Sequence, residues 1–242
     1  MKNMLVILLG IFISSQTYAG ELEQYKLIAA TSLAEADAFD QDNWRMKRIS
    51  KDGETIKHEI FDPKRSPPWQ LTRINGQKPS EEQRKEYDEK QVDGSDEKMQ
   101  KLSSDKLSYM VPIETLAIVD NQEQQATLSF TPRVSSLDED QRKNLQGVLI
   151  LDLMESSLKS IEIKNTSDLS PNFFVTFERF SLSMEFKEQG QHLVMHKMIS
   201  TIQGRTGLFA SINHNLEQVY SDFFFLINRA SHRNNDVERI VQ

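Results

Sequence analysis

The chain has no cysteine among its 242 residues, which excludes disulfides, thiolate metal sites and a lipidated cysteine. Its nine glycines are scattered, so no glycine-rich loop is present to cradle a phosphate, and neither a G-x-S-x-G elbow nor an H-E-x-x-H pair occurs. The five histidines are His58, His192, His196, His214 and His232. On a strand, His192 and His196 would stand about 13 Å apart along its axis, too far to share one ion. Carboxylates crowd the charged stretches, where solvation explains them. These absences lead us to expect no enzymatic activity, no cofactor and no metal.

Two further absences concern partners. Lys and Arg number 29 against 36 Asp and Glu, a formal net charge of −7. No basic run interrupts this acidity, which argues against nucleic acid and against electrostatic docking on anionic lipid. No apolar run reaches the ~20 residues needed to span a bilayer, so no stable membrane anchor is expected.

What is present begins with a basic start at Met1-Lys2-Asn3, an apolar run from Met4 to Ile13, and small residues at Thr17 and Ala19. This is the pattern of a secretory signal peptide cleaved after Ala19, and it predicts a periplasmic protein exported across the inner membrane. Residues 20–230 are expected to form one β-rich domain, with a charged helix or loop inserted at 80–106 and a polar tail at 231–242. The length suffices for one large core.

From Glu21 to about Asp40, Leu22, Tyr25, Ala29, Leu33, Ala36 and Phe39 recur at intervals of three and four, predicting an amphipathic helix. Trp44–Ile49 and Thr55–Phe61 then read as a hairpin about a turn at Lys51–Glu54. In the run Trp69 to Gln83, a strand meets the pair Asn75-Gly76, which tolerates positive φ, and Ser80 with Gln83 forms an S-x-x-Q capping box. Glu81 to Lys106 is too charged to build a core; i,i+4 pairs support a solvated helix to Gln91 that ends at Asp93-Gly94.

Downstream, Pro112 to Val119 reads as a short helix or turn, after which the pattern is β. Ala126–Thr131 is a strand, Ser136–Gln146 a charged connector, and Gly147–Met154 with Ser160–Lys164 a hairpin. Phe173, Val175 and Phe177 share one parity while Phe180, Leu182, Met184 and Phe186 share the other, which predicts a bulge near Glu178-Arg179. Gln191–Gln203 returns with Leu193, Met195 and Ile199 on one side and Val194, Met198 and Ile202 on the other. Leu208–Ile212 reads as a final strand, and Leu216–Ile227 as a strand or a helix.

In this order the elements resemble the LolA/LolB/RseB-type periplasmic lipoprotein-carrier superfamily. The residues that carry the resemblance are the signal peptide, the N-terminal helix before the Trp44 hairpin, Phe61-Asp62-Pro63, and Trp69-x-Leu71 leading to Asn75-Gly76-x-x-Pro79-Ser80-x-x-Gln83. The two late hairpins complete it, and uncharacterised relatives of the superfamily are the nearest likeness. The resemblance implies an α+β fold: a curved antiparallel unclosed β-barrel with helices covering its concave side. It also implies an apolar cavity for acyl chains, or a module that holds an exported protein partner. The insert at 81–106 has no counterpart in that pattern.

The residues best suited to line such a cavity are Phe180, Leu182, Met184 and Phe186, with Leu193 and Met195 opposite, because flexible Met and flat Phe adapt to acyl chains. The same periodicity describes a filled core under a helix. The leading expectation is a soluble periplasmic carrier of lipid, or of the acyl part of a lipoprotein, without covalent chemistry. The alternative is a protein-interaction or envelope-sensing module with a filled scaffold core.

Overall fold

The computed structural model describes residues 2–92, 105–172, 174–207 and 210–226, with side chains from Gly20 onward except Val92 and Asn172. Within the charged insert, residues 93–104 lie outside this set, as do Phe173, Leu208, Phe209, Ile227 and the polar tail at 231–242.

Helix α1 (Lys2–Asp37) buries Tyr25, Ala29 and Leu33, the residues that the three-and-four spacing places on one face. A 3₁₀ turn, Gln41–Asn43, is capped by the Asp40 carboxylate and leads into β1 (Trp44–Asp52), β2 (Thr55–Phe61) and β3 (Trp69–Ile74). After β3, Asn75 and Gly76 both have positive φ, 48° and 79°, as this turn requires. The capping box then forms in both directions: the Ser80 N–H donates to Gln83 Oε1 at 2.9 Å, and the Gln83 N–H to Ser80 Oγ at 3.1 Å. Helix α2 (Glu81–Val92) follows.

Helix α3 (Leu107–Met110) is capped from a distance. The Asp37 carboxylate at the end of α1 accepts from the Leu107 and Ser108 N–H groups at 2.7 and 3.0 Å. The stretch expected as a helix or turn at Pro112–Val119 divides instead into a 3₁₀ turn, Ile113–Thr115, and the start of β4 (Ala117–Gln122). Pairing with β5 (Gln125–Phe130) outweighs the local helical spacing there. The charged connector holds a short helix α4 (Glu139–Arg142) before β6 (Leu145–Asp152) and β7 (Ser157–Asn165). Then come β8 (Leu169–Asn172), β9 (Val175–Gln189), β10 (His192–Thr206) and β11 (Ala210–Phe225). The segment read as two separate pieces after Gly207 is therefore one strand over its described residues.

All eleven strands join one antiparallel sheet in the order β3-β2-β1-β11-β10-β9-β7-β6-β5-β4, with β8 paired to β9. The sheet is not closed; β3 and β4 are the ends of this path. Two of its bulges lie between β9 and β10 and set the inner face there. Gln203 opposes Arg179 while Gly204 opposes Phe177, so Glu178 is the extra residue, at the expected place. The second bulge, between Met195 and Lys197, was not expected. It brings Met195 onto the same face as Met198 and Ile202 and sends Ile199 to the other, reversing part of the parity read from the sequence.

Directly opposed residues of antiparallel strands share a face. Ser50 opposes Gln218, Gln218 opposes Met198, Met198 opposes Met184, and the row continues through Ile161, Leu149 and Leu128. Along this row the face changes from polar at β1 to apolar at β5, while nearer the start of β1 the same face buries Trp44 and Met46 in a smaller apolar cluster. The main core lies at the apolar end, where Tyr25, Ala29 and Leu33 of α1 pack among Leu128, Leu149, Leu158, Ile161 and Ile163.

Candidate functional site

All six residues expected to line a cavity come together in the main core. Phe180, Met184, Phe186 and Leu193 are buried, and Leu182 and Met195 are half-buried against them. Met195 stands opposite Phe186, whereas Leu193 opposes Glu188. The sheet supplies phenylalanine and methionine to this cluster, and α1 supplies Tyr25, Ala29 and Leu33. Helix α1 is held there by polar ties as well: Ser32 Oγ accepts from the Leu158 N–H at 3.1 Å, and Tyr25 donates to Asn121 at 2.8 Å.

A second cluster, not foreseen from the sequence, occupies the polar end of the same face. Arg48 of β1 stands between Glu59 of β2 and Tyr220 of β11 in register. Its Nε and Nη2 each donate to the Glu59 carboxylate at 2.8 Å, a two-pronged pair. Ser50 and Tyr87 add hydroxyl donors to the same carboxylate, both at 2.6 Å. The Arg48 guanidinium lies 3.9 Å over the Trp69 ring, and Trp69 in turn packs on Phe61. The Glu59 side chain is 2% exposed and that of Arg48 14%.

Burial here pulls Glu59 toward its neutral acid, but the hydrogen bonds and charge of Arg48, with the Ser50 and Tyr87 donors, outweigh it and leave the carboxyl below its ordinary range. Burial alone would lower Arg48, yet the hydrogen bond and charge of Glu59 hold it above its usual value. Tyr87 is pushed up by burial and by the neighbouring negative charge, and Tyr220 chiefly by burial. Both phenols therefore keep their protons. Four donors engage the Glu59 carboxylate, and the cluster ties β1, β2 and α2 together.

The sequence held one signal for it: Tyr87 is the lone aromatic on a helix that is otherwise charged or polar as far as Gln91. Trp69 proves to be a partner of Arg48 in this fastening. A polar cleft of about 440 Å³ opens elsewhere, between residues of β7 and β9, with Glu162, Lys164, Asn165, Glu178, Arg179 and Phe180 in its lining. Asn165 closes its base by accepting from the Phe180 N–H at 2.8 Å. His192 rests edge-on against Trp44 and stacked on Phe225, and His196 faces Glu185 at 3.8 Å. No group of three or more potential metal ligands occurs among the described residues, and no helix among them is long and apolar enough to cross a membrane. Comparison with protein-family models, with curated proteins and with solved structures found no match.

Proposed function

We propose that this chain is an exported, non-catalytic binding protein of the lipoprotein-carrier type, with the signal removed after Ala19 and the remainder acting in the periplasm. The observation that carries the reading is the convergence of Phe180, Met184, Phe186, Leu193 and Met195 in one apolar cluster. Helix α1 lies over this cluster on a sheet that does not close. On this reading the sheet is curved, α1 covers its concave side, and acyl chains enter where the helix lifts. Each CH₂ removed from water contributes about 0.8 kcal/mol, so a long acyl chain can offset the contacts that α1 gives up. Methionine and phenylalanine refit to an irregular chain better than branched side chains do.

A second reading is favoured by the ties that hold α1 in place, Ser32 to Leu158 and Tyr25 to Asn121. Under it the core stays filled as a scaffold, and a sheet edge or α2 contacts an exported protein partner. Mass spectrometry of lipid extracted from protein purified natively from the periplasm separates the two. Under the carrier reading lipid co-purifies and a fluorescent fatty acid gains intensity with the protein; failure of both observations abandons the carrier for the scaffold.

A further inference from the structure

The linear sequence shows no basic run, yet the sheet register assembles one. Along β1 the residues opposite to the buried set are Arg45, Lys47, Ile49 and Lys51, all exposed. Across the β1–β11 ladder, Arg45 stands directly opposite Phe224, and Ile49 opposite Val219. Across the β1–β2 ladder, Ile49 opposes His58 and Lys51 opposes Ile56, and His58 in turn opposes Arg73 of β3. Four cations, Arg45, Lys47, Lys51 and Arg73, thus share one outward face with Ile49, Ile56, Val219 and Phe224.

The carboxylates on this face are Glu217 and Asp222. Each is engaged by a lysine, Glu217 by Lys197 at 3.1 Å and Asp222 by Lys47 at 2.6 Å. Arg45 and Lys51 make no ion pair among the described residues, and Arg73 spends one donor on the Gly76 carbonyl. The face is also apolar in an uncommon way: Phe224 is 62% exposed, and Ile49, Ile56 and Val219 are 39%, 37% and 36% exposed.

We propose that this outward face of β3-β2-β1-β11 docks the protein on an anionic phospholipid surface. The argument is charge complementarity combined with surface form. The net charge of −7 opposes approach to an anionic bilayer, whereas this face offers it four cations. The lysine and arginine stems run beside the aliphatic side chains, so their charged ends reach headgroups while the apolar groups meet the acyl boundary. An exposed ladder in which cationic and apolar side chains alternate across strands suits a fluid surface better than the shaped motif of a protein partner. Each cation near the surface raises partitioning about fivefold, screened over a Debye length, so docking is reversible and salt-sensitive. This inference does not depend on whether the core holds a lipid.

The test is co-sedimentation of the purified protein with vesicles of equal parts phosphatidylglycerol and phosphatidylcholine, and with phosphatidylcholine alone. Docking is expected on the anionic vesicles only and is expected to fall with added salt. The variant Arg45→Glu, Lys51→Glu, Arg73→Glu is expected to weaken partitioning by about tenfold or more, with an unchanged circular dichroism spectrum and unfolding midpoint. Phe224→Ser, a single exposed change, is expected to weaken it without altering the salt dependence. Equal binding to neutral vesicles, no binding to anionic ones, or binding indifferent to both variants overturns the proposal. Charge-dependent capture of an acidic protein in place of the vesicles overturns it too.

Discussion

The Tyr87 hydroxyl donates to Glu59 Oε1 at 2.6 Å across 28 residues of sequence. This contact joins a helix whose other described side chains are charged or polar to the buried face of the sheet. Because α2 exposes most of its surface, its position rests on this tie together with its cap and its short connection from β3. Tyr87→Phe is expected to destabilise the protein by about 1.5–3 kcal/mol, the range for a hydrogen bond to a charged group. Urea unfolding gives the magnitude, and amide exchange is expected to quicken in α2 before the sheet.

The buried pair Arg48–Glu59 gives an asymmetric expectation. Glu59→Ala leaves the guanidinium buried without its partner and is expected to cost about 3–5 kcal/mol. Replacing both, as Arg48→Met with Glu59→Leu, removes two desolvated charges together and is expected to cost less than that single change. A double-mutant cycle by urea unfolding checks this; a double variant that loses as much as the two singles added together would show the pair to be energetically independent.

Stability should fall at both ends of the pH range through the same cluster. Glu59 titrates below its ordinary value in the folded protein, so the unfolded chain takes up that proton first as pH drops past about 4.3. The contribution of Glu59 is complete above that point and is lost as pH falls toward the folded value. Tyr87 behaves in the opposite sense, because its proton is held more tightly in the folded state. Above about pH 10 the unfolded chain releases it first and stability declines again. Unfolding midpoints measured across pH should lose Glu59's share of the acid component in Glu59→Gln and Tyr87's share of the alkaline component in Tyr87→Phe, leaving that of Tyr220.

Two glycines separate a backbone constraint from a side-chain one. A Cβ at Gly204 would run into the Thr176 carbonyl beside the Glu178 bulge, whereas one at Gly147 would run into the Phe130 ring. Overpacking costs about 1–3 kcal/mol where neighbours can shift. Gly204→Ala is expected to exceed Gly147→Ala, since a ladder carbonyl moves only with its strand. Thermal unfolding of the two variants decides it, and the reverse order would place the rigid element at Phe130.

The core helix was legible from Tyr25, Ala29 and Leu33 because a helical stripe repeats within a few residues. The cap at Ser80 and Gln83 was legible because both partners lie within one turn. So was the Glu178 bulge, which the change of parity between Phe177 and Phe180 announces in a single strand. The second bulge left no such mark, because Leu193, Val194 and Met195 are all apolar and any parity fits. That is why strict alternation separates Met198 and Ile202 from Met195, whereas the bulge puts all three on one face.

The sequence by itself determined the periodic and the local: the amphipathic helix, the turn at Asn75-Gly76, the capped start of α2 and the β-rich second half. Only the tertiary structure decided what depends on which strands become neighbours. The pairing of β1 with β11 closes a separation of some 170 residues and places Tyr220 beside Arg48 and Phe224 beside Arg45. A charged pair can be buried only after a partner arrives from another strand, and a cationic face can exist in an acidic chain only after the ladder sorts alternate side chains to opposite sides. Register is a property of the pair, and no single strand encodes it.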